Sequence, residues 1–172
     1  MLELFYPNQT AVSSYEIPYE RLAERGVRGI LFDIDNTLVP HGAAATPEAV
    51  ALFGRLHALR LATCLISNNQ EPRVEPFAKA VNSPFLCNAH KPAAAGYRRA
   101  CQIMGVRLEE AVFVGDQLFT DIFGANRAGI RSILVQPIHP KEEIQIVLKR
   151  RLERPILYFY RKGGWSRKER IF

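Results

Sequence analysis

ILFDIDNTLVP, residues 30–40, runs three bulky apolar residues into Asp33, with Asp35 one residue further on and Thr37 after it. Two carboxylates this close would be expensive to bury inside a strand. The stretch therefore reads as a buried strand that stops where a polar site begins. Upstream the apolar run reaches back through VRGILFDI (27–34), as expected of a strand covered on both faces. Four further segments have the same character: LATCLIS (61–67), PFLCNA (84–89), AVFVGD (111–116) and RSILVQ (131–136).

Helical segments fit between them. Thr46-Pro47-Glu48 has the form of an N-cap followed by proline at the first helical position, and that helix is expected to run to about Leu59. Glu71 to Ala80, Pro92 to Met104 and Thr120 to Ala128 can hold three more, the last two stopped by Gly105 and Gly129. Alternation of this kind predicts an α/β fold: a parallel sheet of about five strands with helices on both faces. In such sheets ligands bind at the carboxyl ends of the strands. The polar clusters fall there: Asp33 to Thr37, Ser67-Asn68-Asn69, His90-Lys91-Pro92, and Gly115-Asp116 with Asp121 five residues on.

Several acids converging on one edge make a hard, oxygen-rich site, for which Mg²⁺ is the natural occupant. Without a cation the carboxylates would repel one another. A carboxylate can attack a phosphoryl group, an anion-on-anion step that a metal and a lysine can neutralise. A second acid can protonate the leaving oxygen and then activate water.

Together, D-x-D-x-T after an apolar strand, a strand-end serine, Lys-Pro and G-D-x-x-x-x-D resemble the haloacid dehalogenase (HAD) superfamily over residues 27–136. SNN, KP and GDQLFTDIFGANRAG are similar, more narrowly, to the YqeG-type subfamily IIIA phosphatases and to the phosphatidylglycerophosphatases. The resemblance implies a three-layer α/β/α Rossmann-like HAD fold and a Mg²⁺-dependent phosphomonoester hydrolase. It makes Asp33 the nucleophile and a metal ligand. Asp35 becomes the general acid/base, with its backbone carbonyl facing the metal. Thr37 helps fix the loop, Ser67 and the backbone near Asn68 hold the phosphoryl group, and Lys91 neutralises charge. Asp116 ligates the metal directly, and Asp121 acts from behind it or through water. The second Asp of the DxD form points to a phosphatase or phosphomutase. His41 reads as a loop residue, and Asn126 as shaping a helix end.

The intervals Thr37 to Ser67 and Ser67 to Lys91 are too short for a cap domain. An open site suits a substrate whose bulk stays outside: a lipid head group, a protein or a nucleic-acid end, with phosphatidylglycerophosphate the leading candidate.

Of the 172 residues, 1–140 carry 13 Lys+Arg and 13 Asp+Glu, so the whole net charge of +6 sits in residues 141–172. Residues 1–140 form the expected phosphatase core, and 141–172 a basic helix and tail. The tail either packs on the core or anchors to an anionic membrane surface, where each basic residue contributes about 1 kcal/mol. Nucleic acid ranks behind the membrane as a partner. The other functional reading is a phosphate-sensing binding module docking on RNA or a ribonucleoprotein through this tail. Cys64, Cys87 and Cys101 lack metal-ligand spacing and read as buried thiols. With no apolar run of roughly 20 residues and no secretory pattern at the N-terminus, a cytoplasmic protein is expected, peripheral to a membrane if the tail anchors it.

Overall fold

The computed structural model describes residues 2–139, 153, 155–160 and 171–172. The expected helical face over residues 144–152 lies outside the described residues. Six strands form one sheet: β1 (Gln9–Ala11), β2 (Gly29–Phe32), β3 (Ala62–Ile66), β4 (Phe85–Leu86), β5 (Ala111–Gly115) and β6 (Arg131–Val135). Their order is β1-β6-β5-β2-β3-β4, and every pairing is parallel. The count corrects the expected five. The added strand, Gln-Thr-Ala, is three residues long with no apolar alternation, so no hydrophobic pattern announces it.

Helices α1 (Tyr19–Glu24), α2 (Pro47–Ala58), α3 (Glu71–Val81), α4 (Ala94–Met104) and α5 (Phe123–Ala128) cover the faces, and residues 155–160 are helical as well. The Thr46 hydroxyl accepts from the Ala49 N–H at 3.2 Å, the cap expected of Thr-Pro-Glu. Gly105 and Gly129 take the left-handed conformation that ends α4 and α5. Residues 118–122 form a π-helical turn leading into α5, which shortens the helix expected from Thr120.

Alternate side chains of the central strands enter opposite cores. Ile30 and Phe32 of β2, Leu65 of β3 and Val112 and Val114 of β5 pack with Phe53, Leu56 and Phe77 of α2 and α3. Leu31, Cys64, Ile66 and Phe113 pack on the other side with Tyr97, Ala100 and Ala125 of α4 and α5. Burying each large side chain contributes about 1.5–3 kcal/mol. The sheet must be buried on both faces, which is why β2 reads as an unbroken apolar run.

Chain order reverses at β2, flanked by β3 on one side and β5 on the other. A crevice opens at the carboxyl ends of the strands where connections diverge in this way. The N-terminal segment braces one wall of it: the Ser14 hydroxyl donates to the Thr37 carbonyl at 2.7 Å, and the Tyr15 hydroxyl to the Leu38 carbonyl at 2.5 Å. Asn126 ties the same segment down by donating to the carbonyls of Leu4 and Tyr6, while accepting from the Ser132 hydroxyl. It therefore joins the chain's beginning to β6, a task beyond the helix end expected of it. From the tail, Glu153 is buried and accepts from the Leu118 N–H at 2.9 Å, and Ile171 lies in the first core.

Helix α5 lies against α4 so closely that a Cβ on Gly124 would meet the Tyr97 hydroxyl at 2.5 Å. Gly124→Ala is therefore expected to destabilise the fold by about 1–3 kcal/mol through overpacking. The check is the urea midpoint, and an unmoved midpoint would show that Tyr97 yields without cost.

Candidate active site

Asp33 follows β2 directly, and its backbone N–H still bonds the Val114 carbonyl of β5 at 3.0 Å. That bond holds the carboxylate rigidly at the end of the sheet. Lys91, on the loop between β4 and α4, places its Nζ 2.5 Å from Asp33 Oδ1 and 2.7 Å from Asp121 Oδ1. All three side chains are buried. Asp33, Asp116 and Asp121 each bring a carboxylate oxygen within 4.8 Å of the others.

Glycine makes the last strand end possible. A Cβ on Gly115 would lie 2.5 Å from Asp121 Oδ2, so only a bare backbone lets that carboxylate fold over the end of β5. The second Asp121 oxygen accepts from the Gln117 N–H at 3.0 Å. Thr37 donates to Asp116 Oδ1 at 3.3 Å, linking the loop after β2 to the end of β5. Ser67 is buried at the end of β3, where its hydroxyl accepts from the Asn69 N–H at 3.1 Å.

Asp35 has a different environment. Its carboxylate accepts from Asn69 Nδ2 at 2.6 Å, from Arg73 at 2.8 Å and from the Gly42 N–H at 2.8 Å. It stands outside the cluster formed by the carboxylates of Asp33, Asp116 and Asp121. Asn36, at φ 61°, takes a left-handed conformation directly after Asp35. Asn69 belongs to the strand-end cluster read from the sequence, whereas Arg73 was not singled out by motif reading. Both lie where β3 passes into α3, and a first-turn arginine beside a strand-end acid is the signal that could have found Arg73. His41 is exposed in its loop.

Asn68 contributes through its side chain as well as its position. Its Oδ1 accepts from the Lys91 N–H at 2.6 Å, and its Nδ2 donates to the Lys91 carbonyl at 3.1 Å. The end of β3 thus clamps the backbone of the catalytic lysine candidate.

Burial opposes ionisation of Asp33 and raises its carboxyl to about 7, against the pull of Lys91 and with added repulsion from Asp121. Burial would also lower Lys91, but Asp121 and Asp33 outweigh it and hold the ammonium charged. Three crowded carboxylates of this kind, from Asp33, Asp116 and Asp121, fit a small, hard dication.

A buried strand-end aspartate, a lysine and a glycine-aspartate turn thus meet at the switch point of this sheet. A HAD-hydrolase-like family matches residues 88–144. Probable phosphatase YqeG of Bacillus subtilis is 35% identical over 163 residues, covering 94% of this chain and 95% of that protein. On that relationship, the chain belongs to the YqeG-type phosphatases. The chloroplastic phosphatidylglycerophosphate phosphatase 1 of Chlamydomonas reinhardtii is 30% identical over 161 residues, covering 87% of this chain and 60% of that longer protein. Among solved structures, the cobalt-bound deoxy-D-mannose-octulosonate 8-phosphate phosphatase of Haemophilus influenzae shares the fold. It has a TM-score of 0.53 and 11% identity, covering 67% of this chain and 70% of that one.

Two outcomes test this geometry. Asn68→Ala should cost about 1 kcal/mol of stability and slow turnover by about 10- to 100-fold through a displaced Lys91. Full turnover in that variant would show that the lysine needs no clamp. The raised Asp33 carboxyl has a pH consequence. Between the ordinary carboxylate range and about 7 the folded, metal-free protein holds a proton that the unfolded chain has lost. Its stability should therefore fall as pH rises through that window. Magnesium competes with this proton, so its stabilisation, read as a melting-temperature shift, should be larger above pH about 8 than below about 6. Equal shifts would count against Asp33 as a ligand.

Proposed function

We propose that the protein is a Mg²⁺-dependent phosphomonoester hydrolase that works through an aspartyl-phosphate on Asp33. The observation that carries this reading is the buried contact of Lys91 with Asp33 and Asp121 beside Asp116. It sets a fixed carboxylate next to a fixed positive charge.

In the first step an Asp33 oxygen bonds to phosphorus while the bond from phosphorus to the ester oxygen breaks. The leaving oxygen takes a proton from Asp35. In the second step water attacks the phosphorus, Asp35 accepts its proton, and Asp33 is released with inorganic phosphate. Asp35 must first exchange Asn69, Arg73 or the Gly42 N–H for the leaving oxygen. Lys91 and Ser67 are suited to hold phosphoryl oxygens, and Asn68 and Thr37 to keep the lysine and the DxD turn in place. Bound Mg²⁺ would screen the negative charge that otherwise repels an anionic nucleophile from an anionic ester.

The substrate class is a phosphomonoester of a large or lipid-borne alcohol, with phosphatidylglycerophosphate the leading member. Two observations support it. The interval from β2 to β3 holds α2, and that from β3 to Lys91 holds α3 and β4, so neither contains a cap domain. The Chlamydomonas relative carries that substrate in its name.

Asp33→Asn should leave the fold intact and abolish magnesium-dependent release of phosphate from an aryl phosphate, since the amide cannot act as the nucleophile. Wild-type turnover should also vanish in excess chelator. Turnover of Asp33→Asn within about tenfold of wild type would remove Asp33 from that role.

A further inference from the structure

Large apolar side chains that remain exposed are unevenly placed. Val50 and Ile103 lie on α2 and α4. The other four are Val12 (59% exposed), Ile138 (41%), Tyr158 (53%) and Phe159 (62%). All four belong to segments that wall one groove of about 380 Å³ at the carboxyl edge of β1 and β6. Val12, Pro137, Leu157 and Tyr160 line the groove, and Ile138, Tyr158 and Phe159 adjoin them in the chain.

The groove also reaches the catalytic cluster, since Asp116 is one of its lining residues. Its walls are joined to that cluster. The Ile138 N–H donates to the Asn36 carbonyl at 3.1 Å, and Gln136 bonds the Val12 carbonyl at 3.3 Å. Glu153, at the start of the tail's described part, caps the turn that carries Asp121.

We propose that this rim is the face on which the protein docks to an anionic lipid bilayer, with Tyr158 and Phe159 entering the interface. The groove then receives the body of a membrane-held phosphoester. The site reading above supplies the chemistry, whereas the docking face stands on its own observations. Aromatic side chains are suited to the water–lipid boundary, where an apolar body and a polar tip are both satisfied. Arg154, Arg161 and Lys162 adjoin the 155–160 segment in sequence, and residues 141–172 carry 10 Lys+Arg against 4 Asp+Glu. Positive charge and exposed aromatic surface together match an acidic bilayer better than either matches a neutral partner. Continuity with Asp116 gives the face a use, because a lipid phosphate held there lies at the mouth of the site.

The test uses full-length protein and the double variant Y158S/F159S, with folding checked by melting temperature. Vesicles of phosphatidylcholine, with and without phosphatidylglycerol, are sedimented with each protein. Wild type should sediment with the phosphatidylglycerol vesicles at low salt, and the variant should bind about tenfold or more weakly. The variant should hydrolyse a soluble aryl phosphate as wild type does, and a vesicle-borne lipid phosphate more slowly. Equal sedimentation of the two proteins would overturn the proposal, as would wild type that ignores acidic vesicles or binds single-stranded RNA in their place. Vesicle binding that depends on Tyr158 and Phe159 without any phosphatase activity would uphold the face and sink the reading of the site.

Discussion

The ammonium of Lys91 is the point on which the site depends. It sits between Asp33 and Asp121, and all three are withdrawn from water. Removing the lysine would leave buried carboxylates without compensation, which costs about 3–5 kcal/mol. The lysine therefore fixes the relative positions of three chain segments: the end of β2, the loop after β4 and the turn after β5. Asn68 adds the end of β3 by gripping the lysine's own backbone. The parallel sheet brings these four ends near one another, and the ion pairs and the amide clamp tie them together.

Two acids one residue apart receive different surroundings from this arrangement. Asp33 continues the strand and inherits its burial. Asp35, two residues on, meets Asn69, Arg73 and the Gly42 N–H at the rim, and Asn36 turns the backbone left-handed directly after it. Two carboxylates in different environments are what a reaction needing one nucleophile and one proton carrier requires. The D-x-D spacing separates them, and the intervening Ile34 is buried in the core, which anchors both.

The sheet's central strands were legible in the sequence because burial on both faces forces unbroken apolar runs. Asp33, Thr37, Ser67, Lys91, Asp116 and Asp121 were legible because strand ends are where such sheets place polar side chains. β1 was not, since an edge strand of Gln, Thr and Ala gains its place from pairing with β6 and not from hydrophobicity. Arg73 and the Asn68 side chain were missed for a related reason. Their roles are set by which partner lies within 3 Å, and a residue's type and spacing do not encode that distance. The bracing of the DxD turn by Ser14 and Tyr15 is likewise long in range, each bond spanning 23 residues.

A capless core leaves one physical demand unmet by the residues around Asp33. Attack on a phosphoryl group gains from a site with few waters, where fixed charges act in a low dielectric. Hydrolysis of the covalent intermediate nevertheless needs one water to enter. Enzymes with a lid alternate between these states by closing and opening. Here the intervals that could hold a lid are occupied by single helices and a short strand that pack into the sheet. On the proposed chemistry, exclusion of water in the first step falls to the substrate's own bulk and to the surface against which the protein lies. Departure of the alcohol then uncovers the phosphorylated aspartate to solvent without any domain movement. The grouping of exposed apolar side chains on the edge that carries Asp116, away from the amino-terminal edge of the sheet, is the arrangement such a sequence of events requires.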